Sequence, residues 1–307
     1  MSKTQLIQAG PTPQVEVRQV AGNLHLTGWD RPELQLRGRH AEAFSVEEGD
    51  GRYTITCDSD LVLQVPLQTM LKIGHVAGDG NVSMVLHSIT LDVVAGDLNL
   101  SSVNAATIKQ VSGDLAVSLI AGDLAVERVG GDARAARIAG DVRFERVGSD
   151  LALSGIVGSV HGVAGGDIKA DVILAGDQRC TLKAGGDIGC AIPSDASARV
   201  KLAAGGDIRV KNLGEKRKGT AETLQFELGT GAATVELEAG GDVMLRGMEP
   251  GAREGGIEIT IDLEEEMARR AVEMTQQITA QIEAQVNALS RQLDAKLSEL
   301  GANDELA

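Results

Sequence analysis

The chain is poor in aromatic residues: three Phe, one Tyr and one Trp make up 2% of its 307 residues. So few large rings exclude an aromatic-centred core and leave little material for the stacked subsites that hold sugar rings in carbohydrate-active enzymes. Cysteine is equally scarce. Cys57, Cys180 and Cys190 form neither an even disulfide framework nor a Cys-x-x-Cys metal spacing. Positive charge is also in deficit, with 29 Lys and Arg against 44 Asp and Glu, a formal net charge of −15. That field repels phosphate backbones and anionic headgroups, so nucleic acid and membrane insertion are not expected. The basic run Lys216-Arg217-Lys218 is too short to reverse this and reads as a solvated loop. No apolar run reaches membrane-spanning length, and residues 1–10 lack the pattern of a secretory signal, so a cytoplasmic location is expected.

Glycine, by contrast, reaches 38 residues, and small branched side chains supply most of the 43% hydrophobic content. The glycines are ordered. Gly-Asp pairs begin at Gly113, Gly122, Gly131 and Gly140, and Ser149-Asp150 follows in phase, a spacing of nine residues. The pattern continues upstream through Gly78-Asp79 and Gly96-Asp97. Downstream it runs through Gly166-Asp167, Gly176-Asp177, Gly186-Asp187, Gly206-Asp207 and Gly241-Asp242, while Gly22-Asn23 is a variant. A repeat at this period is the mark of a stacked architecture.

Within a unit, apolar residues follow Asp by one and three positions and recur before the next Gly-Asp, as at Leu115, Val117 and Ile120. Alternation by two marks a short strand with one buried face. Gly-Asp reads as the corner, with Gly supplying positive φ and Asp bonding the backbone of its own turn. One unit is too short to enclose a core, which leads to coils of about 18–20 residues, two Gly-Asp units each, stacked about 4.8 Å apart. The expected fold class is therefore all-β: a single-stranded right-handed parallel β-helix or β-solenoid with a long C-terminal α-helix. A three-sided coil of about 27 residues is the other geometry.

Residues 1–75 read as N-terminal capping coils, with alternating segments at 14–20, 34–37, 53–56 and 61–65 and a cap around Trp29, Pro32, Tyr53 and Pro66. Residues 76–261 read as the Gly-Asp solenoid, ending in the strand-like Ile257-Glu258-Ile259-Thr260-Ile261. Residues 262–300 read as an amphipathic helix capped by Asp262, with Glu264, Glu265 and Glu266 in its first turn, and 301–307 as a tail. Its apolar positions, Ile278, Ile282, Val286, Leu289, Leu293, Leu297 and Leu300, make an eleven-residue pattern suited to docking or self-association.

The tandem Val-Ser-Gly-Asp-Leu and Ile-Ala-Gly-Asp-Leu units resemble the bacterial putative-adhesin β-solenoid family, a domain family of unknown function with repeated Gly-Asp corners, over about residues 15–247. That resemblance implies a solenoid and an envelope-associated or surface protein. The terminal segment is not part of the family pattern.

Chemistry is sparse. Calcium-binding nonapeptide solenoids need more glycine per unit than this repeat carries, so only weak association of Ca²⁺ or other cations with the corner aspartates is expected. His25, His40, His75, His87 and His161 are scattered over strand or corner positions, Cys180 and Cys190 fall on buried strand positions, and no phosphate-binding Gly-rich loop occurs. No catalytic, cofactor-binding or metal-ligating residue is singled out. The leading function is a non-enzymatic scaffold or interaction protein, an acidic rod whose 262–300 helix mediates self-association or docking of a protein partner. The alternative is an adhesin-like module for carbohydrate or surface polymer, and the third is a carbohydrate-active enzyme.

Overall fold

Two-residue alternation becomes strand throughout the computed structural model, which describes residues 3–38, 43–213, 217–219 and 222–248. The described residues form 25 strands of one continuous sheet. The sheet folds into two facing stacks, here called A and B, and the chain passes through each in turn. Leu124–Val129 in stack A leads through a corner to Ala133–Ile138 in stack B, then to Val142–Val147 in stack A. Each strand pairs in parallel with the strand one circuit away, so that Leu115 lies opposite Ala133, and Ala133 opposite Leu151. Gly80–Val94 and Leu98–Val111 are long enough to belong to both stacks, bending between them.

In-register parallel pairing places like residues above one another. One core row runs Val76, Val94, Val111, Val129 and Val147, then narrows to Ala164 and Ala184. Most of its members, like the Leu and Ile rows beside it, are almost wholly buried. A slim core of this kind needs compensation where a ring enters. Phe144, fully buried, faces Gly162 on the next circuit, where a Cβ would press on the Leu151 and Leu182 side chains.

The expectation of a wholly parallel solenoid ending in a long C-terminal helix is corrected by this sheet. It is mixed. Phe44–Gly49 runs antiparallel to Arg52–Cys57, and Glu33–Gly38 antiparallel to both Leu61–Pro66 and Lys3–Gln8. At the other end Thr223–Leu228 runs antiparallel to Ala198–Ala204, and Arg217–Gly219 antiparallel to Ile208–Lys211. The physical reason is local: at an uncovered end, a hairpin return supplies a partner for exposed edge groups without another full circuit. No described residue is helical, and 262–300, with the tail 301–307, lies outside the described residues. The strand expected at 257–261 lies outside them as well.

Circuit order also departs from sequence order. Gln14–Val20 lies between Arg52–Cys57 and Met70–Val76, and Leu24–Trp29 lies between Leu61–Pro66 and the start of Gly80–Val94. Likewise Ala233–Ala239 lies between Arg179–Ala184 and Ala198–Ala204, and Val243–Met248 between Ile188–Pro193 and Ile208–Lys211. The first and last circuits are thus each held on two sides. The aromatics of the N-terminal end tie its strands together: Trp29 Nε1 donates to the Glu33 carbonyl at 2.8 Å, and the buried Tyr53 hydroxyl donates to the Gln8 carbonyl at 3.0 Å.

Candidate functional site

The Gly-Asp corners build a ladder. At every corner leading from stack A to stack B, an Asx or Asp Oδ1 accepts the backbone N–H of the Asp or Asn one circuit away. The ladder runs from Asp60 through Asn23, Asp79, Asp97, Asp114, Asp132, Asp150, Asp167 and Asp187 to Asp242 and Asp207, with links of 2.7–3.3 Å. The opposite edge carries a shorter version, Asp123 to Asp141 to Ser159. Two expectations are thereby revised. The carboxylates bond a neighbouring circuit, not their own turn. Nor, apart from Gly176, which is off the ladder, do the corner glycines supply positive φ: Gly96, Gly113, Gly131 and Gly166 all lack it. They make room instead, since a Cβ at any of them would overlap the Oδ1 of the preceding ladder Asp. Where Ser149 replaces Gly, the link at Asp150 is the longest, 3.3 Å.

Positive φ appears in a different place. Met84, Ser102, Leu119, Arg137 and Gly155, at equivalent points of successive stack-B strands, have φ between 56° and 64°. Each is skipped by the ladder pairing, as Ser101 faces Ser118 and Val103 faces Ile120. In stack B this bulge column accommodates the apolar offsets, because the extra residue lets two outward positions follow each other before the chain turns inward again.

The outer faces of the stacks differ. Stack A is charged. Lys72 bonds Glu16 at 2.9 Å, Lys109 meets Asp92 at 2.6 Å, Lys183 meets Glu238 at 2.8 Å, and Arg143 pairs with Glu145. The Lys72 hydrogen bond holds the Glu16 carboxyl below its ordinary range, and Lys183 does the same to Glu238. The ammonium groups of Lys109 and Lys183 are pushed up by the same partnerships. Asp92, Val93, Lys109, Gln110, Glu127 and Arg128 line an open, polar depression of about 410 Å³ on this face.

Stack B is almost uncharged over its N-terminal half. His25, Asn81, Asn99 and Ala116 form one outward row; the half-buried Ser83, Ser101 and Ser118 form the next, continued at its end by the buried Thr27. Thr27 and Ser83 hydroxyls lie 3.4 Å apart. Further along, the rows turn basic and mixed at Arg134, Lys169 and Asp171. Sequence reasoning missed this face, because its residues are the small polar members of the repeat and stand out only once stacked.

Of the singled-out residues, His25 and His75 are exposed, His87 and His161 half-buried, and His40 lies outside the described residues. They are not gathered at one place: His25 is on stack B, His75 and His161 on stack A. Cys180 and Cys190 are buried in strands of the two stacks in one circuit. The Cys190 thiol is pushed up by its hydrogen bond with Cys180 and by burial. Among the described residues, no group of three or more His, Cys, Asp or Glu is placed to hold a metal ion, and no helix is long and apolar enough to cross a membrane.

Similar solved structures exist. The chain is similar to putative adhesins. One, from Parabacteroides distasonis, shares 11% identity over 80% of this chain and 97% of that one, with a TM-score of 0.36. Another, from Bacteroides fragilis, shares 11% identity over the same fractions, with a TM-score of 0.27. A protein described as a putative cell adhesion protein, from Clostridium sporogenes, shares 10% identity over 81% of this chain and all of that one, with a TM-score of 0.18. Neither a protein-family model nor a curated protein sequence matches the chain.

Proposed function

We propose that this chain is a non-enzymatic, adhesin-like binding module that engages an extended, hydroxyl-rich polymer, a surface polysaccharide in chemical class, along the neutral half of stack B. The observation that carries this reading is the grid of short hydroxyl and amide side chains at Asn81, Asn99, Ser83, Ser101 and Ser118, repeated at each circuit. Such a grid offers donors and acceptors about 4.8 Å apart along the stack, on side chains that lose little rotamer freedom on binding. Affinity then comes from many modest hydrogen bonds along a chain and not from one deep pocket. The similar solved proteins are named putative adhesins and a putative cell adhesion protein, and a location at the cell envelope is part of this proposal.

The test is retention of the purified protein on immobilised neutral polysaccharides. Placing charge on the face with Asn99→Glu and Ser118→Glu is expected to weaken retention at least about tenfold, the equivalent of about 1.4 kcal/mol, with the melting temperature unchanged. Retention that survives these changes but fails on Lys109→Glu would move the site to stack A, and retention on no polymer would defeat the reading. A second contact is proposed for 262–300, whose apolar spacing suits a protein partner or a second copy. An unchanged mass in solution after its removal would exclude self-association through it.

A further inference from the structure

Charge on this molecule is sorted by place. The ladder aspartates line one edge, and stack A matches several of its cations with neighbouring acids. The C-terminal half of stack B differs. Along its strands Ala133–Ile138, Leu151–Val157, Ile168–Ile173, Ile188–Pro193, Val243–Met248 and Ile208–Lys211, the outward positions hold Arg134, Arg137, Lys169, Arg209, Lys211 and Arg246 against one acid, Asp171. Three of these cations are engaged: Arg134 with Asp132 at 3.4 Å, Arg209 with Asp207 at 2.6 Å and Asp242 at 3.2 Å, and Arg246 with Asp171 at 3.5 Å. Arg137, Lys169 and Lys211 are exposed and meet no acid at ion-pair distance among the described residues. In a chain of net charge −15, three unmatched cations on one face are a local reversal of the field.

Their spacing is regular. Strands that bear cations alternate with strands whose outward residues are small: Ala152 and Ser154 separate Arg134 from Lys169, and Gly189 and Ala191 separate Lys169 from Arg246. A Cβ at Gly189 would meet nothing within 4 Å. Cationic strands are therefore two strand spacings apart, about 10 Å, with low ground between them. We propose that this half of stack B binds the acidic sugars of an extended polysaccharide, its free cations Arg137, Lys169 and Lys211 meeting carboxylates that recur every second sugar ring. The proposal rests on the polymer lying along stack B, as proposed for the neutral half: a chain crossing the Asn and Ser rows and keeping its direction arrives on Ala133–Ile138 and the strands beyond. Sparse cations suit sparse anions. A nucleic acid strand carries one charge about every 3.4 Å, roughly three for each cationic interval here, and the surplus would lie beside the aspartate ladder. One carboxylate per two rings leaves no surplus, and the small residues between the cationic strands leave space for the uncharged ring.

The test uses the full chain and one polymer in two forms, an immobilised neutral β-glucan and the same glucan with part of its C6 hydroxyls oxidised to carboxylates. At low ionic strength the oxidised form is expected to bind at least about tenfold more tightly, an advantage that shrinks as salt is added. Replacing the free cations together, Arg137→Gln, Lys169→Gln and Lys211→Gln, is expected to abolish that advantage while retention on the neutral form and the melting temperature stay unchanged. Removing equal charge from stack A, with Arg128→Gln, Arg146→Gln and Lys201→Gln, is expected to leave the advantage intact. Equal retention of the native chain on both forms, or an advantage that survives loss of the stack-B cations, overturns the inference. The two readings of stack B fail separately. Retention on the neutral glucan with no gain on oxidation refutes the acidic-sugar surface alone. Retention of only the oxidised form, lost with the stack-B cations, refutes the hydroxyl grid and keeps the basic track.

Discussion

Single glycines in this protein have opposite roles depending on which atoms sit above them. At Gly131 a Cβ would overlap the Asp114 carboxylate oxygen, whereas at Gly189 nothing lies within 4 Å. Gly131→Ala is therefore expected to cost about 2 kcal/mol or more, by overpacking and by pushing apart a charged hydrogen bond. Gly189→Ala is expected to be neutral or stabilising by about 0.5 kcal/mol, because it only removes freedom from the unfolded chain. Urea titrations of both variants check the contrast. The bulge column gives a second expectation. Arg137 is exposed and held at φ 57°, while Gly155 occupies the equivalent point one circuit on. Arg137→Gly should relieve left-handed strain of about 1–2 kcal/mol, less the entropy glycine adds to the unfolded state, for a net gain of about 0.5–1 kcal/mol in the same titrations. The Gly-Asp pairs were visible in the sequence, but the job of each glycine was not, because the atoms that forbid a Cβ belong to a circuit about 18 residues away.

At the scale of the strand and its corner, the ladder is a chain of charge-assisted hydrogen bonds in which each carboxylate caps its neighbour's backbone. Asn23 already fills one rung, accepting the Asp79 N–H at 2.8 Å through its own side-chain oxygen. Charge is thus dispensable and the acceptor is not. Asp114→Asn should keep the Asp132 link, now 2.9 Å, and fold at least as stably as the native chain, since it removes one like charge from a closely spaced row. Asp114→Ala should cost about 1–3 kcal/mol by leaving that N–H without its acceptor. Equilibrium denaturation distinguishes the two, and equal losses for both would refute the ladder's role. Screening follows the same logic: salt, and divalent cations more strongly, should raise the melting temperature of a row of carboxylates in a chain of net charge −15. A melting temperature indifferent to both would argue against mutual repulsion along the row.

Across the whole molecule, the circuits at the two ends are out of sequence order, and one ion pair reports on this. Lys183 Nζ lies 2.8 Å from a Glu238 carboxylate oxygen because Thr234–Ala239 is inserted beside Arg179–Ala184. A zero-length carbodiimide should join these two side chains, giving a cross-linked peptide pair by mass spectrometry. A circuit added at the end in sequence order would instead place Ala203 between them and yield no such product. The pair also titrates in a predictable direction. Glu238 is held below its ordinary range, so its small contribution is present above the unfolded carboxylate value and is lost as pH falls through the lower folded one. Both side chains are exposed, at 54% and 62%, so the pair marks position more than it adds stability.

Composition, period and apolar offsets alone determined that this chain would be strand throughout the described residues, slim-cored and cornered by Gly-Asp, because those features arise from local sterics and from two-residue alternation. Tertiary structure decided what local rules cannot reach: antiparallel returns at both ends, insertion of the first and last circuits, and carboxylates that serve the next corner along. It also decided that scattered Ser and Asn would line up as a surface. The reason is that a repeat specifies the shape of one circuit, whereas the order and fate of circuits depend on which edges are left unpaired after all the others have closed.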